Sequence, residues 1–141
     1  MYGTRKKQIG ILEQEPYLFD DSIKYNVLLE CGAYDEFLLE KLCNKLNVKS
    51  YLENQPLGIN TLVGENSTAI SGGEKQKIAL IRTFLKRPDV IILDEPSSAL
   101  DSISTNGLKD LIVQCKKNKI IMLISHEEIF DDIADDIVFL D

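Results

Sequence analysis

Apolar residues fall into two patterns along this chain. Residues 8–12 form a short strand-like run that ends before Pro16, whose ring bars further strand or helix pairing. Residues 22–29, 34–46 and 49–54 carry apolar positions at helical spacing, which predicts a mostly helical middle third with Asp21 or Ser22 and Asp35 as N-caps. Residues 56–68, containing Gly58, Gly64 and Asn66, read as a loop. A helix then runs from Ser71 to about Leu85 and stops before Pro88. Residues 90–93 read as a fully buried strand, 102–115 as an amphipathic helix, and 119–124 and 136–140 as β-rich runs. The predicted order is strand, helical insert, strand, helix, strand, short helix, strand. Such alternation implies parallel strands with helices on the sheet faces, the α/β class.

With 141 residues, 44% of them hydrophobic, the chain supports one core and therefore one domain or part of one. Its formal charge of -7 argues against a nucleic-acid or anionic-membrane surface. The basic residues gather only into two short patches, Arg5 with Lys6 and Lys7, and Lys116 with Lys117 and Lys119, each read as solvated. Cys31, Cys43 and Cys115 are odd in number and too far apart for a metal motif, which predicts reduced thiols. No apolar stretch approaches the roughly 20 residues that a bilayer-crossing helix needs.

Chemistry concentrates in residues 70–101, ISGGEKQKIALIRTFLKRPDVIILDEPSSALD. Ser71, Gly72 and Gly73 open a helix with backbone N–H groups free to cup an anion, where the macrodipole also favours negative charge. Taken alone, Ser71 is equally an ordinary N-cap. The aliphatic strand ends in Asp94 and Glu95, where an α/β sheet usually holds its ligand. Nucleotide hydrolysis needs a strand-end Asp to hold Mg²⁺ and a neighbouring carboxylate to orient or deprotonate the attacking water, and the two acids fit in that order. Asp101 is placed to cap the following helix.

This run resembles the signature (usually Leu-Ser-Gly-Gly-Gln), Walker B and D-loop of ABC ATPases, with Ile70 and Glu74 departing from the usual Leu and Gln. Gln76 and Arg82 stand where the family's helix has Gln and Arg. Gln14, followed by Tyr17 and Phe19, resembles the exporter Q-loop. The segment Leu62-Val63-Gly64-Glu65 resembles the exporter X-loop, and His126 the switch histidine. The resemblance implies a P-loop NTPase (RecA-like) core with an inserted ABC helical subdomain, divided as core strand and Q-loop at 1–18, helical subdomain at 19–86 and core at 87–141.

The resemblance also implies ATP and Mg²⁺ as cofactors. Glu95, His126 and Gln14 would be catalytic, and Asp94 and Gln14 would serve the metal. Ser71, Gly72, Gly73, Glu74 and Asp101 would act on a nucleotide held by the opposite subunit of a head-to-tail dimer. The implied function is ATP-driven export across a membrane, with a transmembrane domain as partner, no nucleic acid, and a place at the cytoplasmic face of a bacterial cell membrane. No Gly-Lys pair occurs, so a Walker A motif is lacking. The chain is therefore expected to be the C-terminal portion of such a domain and inactive alone. Two rivals remain at this point, a non-transport ABC ATPase of the DNA-repair or chromosome-structure type and a catalytically dead interaction fragment. The first usually carries long coiled coils between Q-loop and signature, and no sustained heptads separate Gln14 from Ser71 here.

Overall fold

The computed structural model describes residues 8–29, 31–65 and 70–140. The patch of Arg5, Lys6 and Lys7 and the turn residue Asn66 lie outside them. Three parallel strands form the sheet, in the order β1 (Ile9–Leu12), β4 (Val90–Asp94) and β5 (Ile120–Ile124). Between β1 and β4 the chain makes β2 (Asp21–Ser22), α1 (Ile23–Leu28), α2 (Glu36–Lys45), α3 (Lys49–Glu53), β3 (Leu62–Val63) and α4 (Gly72–Leu85). The helix α5 (Ser102–Cys115) joins β4 to β5, and a 3-10 helix at Glu128–Ile133 follows.

Local chemistry sets the helix starts. Ser22, Asp35, Ser71 and Asp101 each accept a backbone N–H from three residues ahead, satisfying a donor that the first turn leaves orphaned. The helix α4 is central, packing on β1 and against α1 and α2. Its Ile78, Leu80 and Ile81 join Leu12, Ile91, Leu93 and Leu108 in one buried cluster, in which each side chain gains roughly 1.5–3 kcal/mol from leaving water.

Three expectations need correction. The strand at residues 90–93 is not buried on both faces: Ile91 and Leu93 are fully buried, while Val90 and Ile92 are half-buried. The helices α4 and α5 cover one sheet face, and on the other Ile9, Ile11, Ile120 and Met122 are each more than half exposed. Residues 136–140 form no strand, and Val138 and Phe139 are exposed at 79% and 86%. Their β-propensity finds no neighbouring strand to complete, and propensity without a ladder does not make one. Finally, the 56–68 region is more than a loop, because it contains a 3-10 turn at Gly58–Asn60 and β3, which pairs antiparallel with β2.

Candidate functional site

Register alone brings the predicted residues together. Leu12 of β1 is level with Leu93, and Asp94 is level with Ile124 of β5, so the loops carrying Gln14, Glu95 and His126 all leave from the carboxyl end of the sheet. At Glu95 the backbone turns sharply, with φ at +47°, and its N–H donates to the Ile124 carbonyl at 2.8 Å. That left-handed conformation is uncommon for a residue with a side chain and is tolerated chiefly where function needs the geometry.

The Glu95 side chain is largely buried, with Oε1 2.9 Å from His126 Nδ1. Its other oxygen, Oε2, is buried without a hydrogen-bond partner. An unpaired buried acceptor is destabilising, by about 1–3 kcal/mol, and such a group is one that a bound water or ligand would satisfy. His126 is exposed, and its hydrogen bond to Glu95, then the Glu95 charge, push the imidazole above its ordinary value of 6.5, with Glu127 adding to the effect. Asp94 is half-buried at the end of β4. Gln14 is exposed in the loop after β1 and makes no hydrogen bond to Asp94 or Glu95. Among the described residues no three His, Cys, Asp or Glu side chains converge to hold a metal.

The Ser-Gly-Gly turn is joined to this end of the sheet. Ser71 Oγ accepts the Glu74 N–H at 3.2 Å, so Ser71 does cap α4, and it remains exposed together with Gly72. A Cβ on Gly73 would lie 2.8 Å from the Ala99 carbonyl oxygen, so the turn and the 95–101 loop are as close as a glycine permits. Gln76 clamps the loop, its Nε2 donating to the Glu95 carbonyl at 3.0 Å and to Ser98 Oγ at 3.3 Å while its Oε1 accepts the Ala99 N–H at 3.0 Å. Asp101 accepts from Ser104 N and Oγ, both at 2.8 Å, which makes it the cap of α5. The Lys77 ammonium hydrogen-bonded to Asp101 holds that carboxyl well below the usual carboxylate range.

Beyond the Gln14 loop stands an aromatic surface. Tyr17 and Phe19 meet edge to face at 5.1 Å, and Phe19 and Tyr25 at 6.1 Å. All three are substantially exposed. Buried Asn26 shapes the loop by accepting the Phe19 N–H and donating to the Phe19 and Ser22 carbonyls. Arg82 of α4 donates to the Tyr17 carbonyl at 2.9 Å, tying the aromatic loop to the same helix that begins at Ser71. Gly64, at φ +118°, packs so close to Asp20 that a Cβ would collide with it, which places the 62–65 segment beside the aromatic loop. Sequence reasoning gave Gln76 and Arg82 no contacts and missed Asn26 and Lys77. The available signal was polar residues at core-facing helical positions, since Lys77 stands one turn before the apolar Ile81.

Comparison with known proteins agrees with this geometry. A family model described as "ABC transporter" matches residues 2–98, which include Gln14, the Ser-Gly-Gly turn and the Asp94–Glu95 pair. The chain is 32% identical over 137 residues to the "ATP-dependent lipid A-core flippase" of Vibrio cholerae, covering 96% of this chain and 24% of that protein. It is 37% identical over 133 residues to the "Glutathione/L-cysteine transport system ATP-binding/permease protein CydD" of Bacillus subtilis, covering 94% and 23%. A solved structure, "Structure of a bacterial Atm1-family ABC exporter with ATP bound", superposes with a TM-score of 0.77 at 28% identity, over 85% of this chain and 21% of that one. The chain thus spans about a quarter of these relatives. Its α/β fold is that of a partial P-loop NTPase core. With the family model covering residues 2–98, and the relatives and the fold in agreement, this chain belongs to the ABC transporter family.

Proposed function

We propose that this chain is part of the ATP-binding unit of an ABC exporter, coupling ATP binding and hydrolysis to movement of a substrate across a membrane. The observation that carries this reading is the Glu95 carboxylate, anchored through Oε1 to His126 and left with a buried, unpartnered Oε2. An acceptor so placed suits a general base for water. Oε2 takes the proton as the water oxygen attacks the γ-phosphorus and the bond to ADP breaks. His126 holds Glu95 in place and leaves its Nε2 for a phosphate oxygen.

Asp94 and Gln14 would hold Mg²⁺ together with the nucleotide, supplying charge neutralisation at the phosphates. Ser71, Gly72, Gly73 and Glu74, with Asp101 behind them, face a nucleotide held by a second ATP-binding subunit in a head-to-tail dimer. The aromatic surface of Tyr17, Phe19 and Tyr25 is the socket for the transmembrane domain, at the cytoplasmic face of a bacterial cell membrane. The division at 1–18, 19–86 and 87–141 assigns β1 with the Gln14 loop and β4 to β5 to the core, and the helices between them to the family's insert. Its likeness to a lipid A-core flippase and to the ATP-binding/permease protein of a transport system supports the exporter reading.

The test is Glu95→Gln in the ATPase chain that contains this segment. Hydrolysis should fall at least about a hundredfold while ATP binding persists, because a positioned general base is typically worth that much. Turnover near the original rate would remove Glu95 from this role. The 141-residue chain itself, lacking Gly-x-x-x-x-Gly-Lys-Ser/Thr, should hydrolyse no ATP and bind it no tighter than roughly millimolar in calorimetry.

A further inference from the structure

At Glu74 the signature turn carries an acid where the family usually has glutamine, adding negative charge to a surface read above as facing phosphate. The structure surrounds that acid with a specific arrangement. Lys77, one turn further along α4, is 4% exposed, with its Nζ 2.8 Å from Asp101 Oδ2 and 3.6 Å from Glu74 Oε1. The two acids are more exposed than the lysine between them, so the ammonium is the buried hub and the carboxylates form its outer rim. Burying an ammonium is costly unless it is paired. Asp101 cannot swing away to follow it, being fixed independently by Ser104 N and Oγ. Lys77 is therefore held from both sides, by the turn that opens α4 and by the residue that opens α5.

We infer that Lys77 is a positioning residue that offsets the Glu74 charge and locks the signature turn to the 95–101 loop, so that an acid-bearing turn can still approach the triphosphate of an opposing subunit. The inference rests on the phosphate-facing reading of that turn. Lys77 touches no nucleotide; it acts through Glu74 and Asp101. Its distinguishing consequence is that loss of Lys77 should harm nucleotide engagement chiefly because Glu74 is then uncompensated.

The experiment is a double-mutant cycle in the ATPase chain containing this segment, with KM for ATP and kcat measured separately. Lys77→Met should raise KM about tenfold with kcat changed less than about threefold, and Lys77→Arg, which keeps the charge, should stay within about threefold in KM. Adding Glu74→Gln to Lys77→Met should bring KM back to within about threefold of the starting protein. If the Met variant does not fold, Lys77→Gln, which can still hydrogen-bond Asp101, takes its place under the same criteria. A KM that Lys77→Met leaves in place, or a defect that Glu74→Gln does not relieve, overturns the inference. Ser71→Arg serves as the control on the underlying reading, since a bulky group there should abolish turnover. Survival of activity in that variant overturns both, whereas its loss beside strictly additive Lys77 and Glu74 effects overturns only the charge-offset role.

Discussion

Glu95 combines a left-handed backbone, a buried orphan oxygen and a bond to the exposed His126, and each makes a measurable difference at the scale of one residue. The hydrogen bond that His126 donates to the Glu95 carboxylate, and the charge of that carboxylate, raise the His126 pKa, so an NMR titration should place the imidazole midpoint above 6.5, and Glu95→Gln should return it towards that value. The sign follows directly. The pairing is fully present below the unfolded-state value while Glu95 stays ionised, and it is lost as pH rises through the folded midpoint. A midpoint at or below 6.5 would mean that the two side chains do not meet in solution. Replacing Glu95 by glycine relieves the positive φ and removes the unpaired oxygen together, so Glu95→Gly should raise stability by about 1 kcal/mol in denaturant titration. A destabilised variant would show that the conformation is not strained.

At the scale of elements, the tightest joint is between the first turn of α4 and the 95–101 loop. Gly73→Ala should drive a methyl into the Ala99 carbonyl and destabilise the chain by about 1–3 kcal/mol. Gly72→Ala meets only the Ala99 Cβ at 4.0 Å and should shift stability by less than about 1 kcal/mol. Equal effects at the two glycines in a chemical-denaturation comparison would contradict the close approach. The same region shows which features were readable beforehand. The caps at Asp35, Ser71 and Asp101 were legible, and the first was narrowed to Asp21 or Ser22, because capping is settled within three residues of chain; the structure selects Ser22. The Asp94–Glu95 pair and His126 were legible because strand ends carry them to one edge of the sheet. The pairing of β2 with β3, the open sheet face and the unformed strand at 136–140 were not, because each depends on what a distant segment does. Lys77 was hidden for a related reason: a lysine reads as solvated until the acids that bury it are placed.

Across the whole molecule, one buried cluster joins the sheet, the helical insert and α5, while the opposite sheet face presents Ile9, Ile11, Ile120 and Met122 to solvent. A contiguous apolar surface of that kind promotes association. Sedimentation velocity across a concentration series of the 141-residue chain should therefore show self-association, weakened by Ile11→Lys combined with Met122→Lys. A strict monomer at every concentration would contradict it. The pairing of β1 with β4 has a further consequence, in time. About 80 residues separate the two strands, and at a synthesis rate of roughly 5–20 residues per second β1 leaves the ribosome about 4–16 s before its partner does. Of the helices made between the two strands, α4 is the one that packs on β1, so it is the shelter this segment itself offers the strand until residues 90–94 arrive.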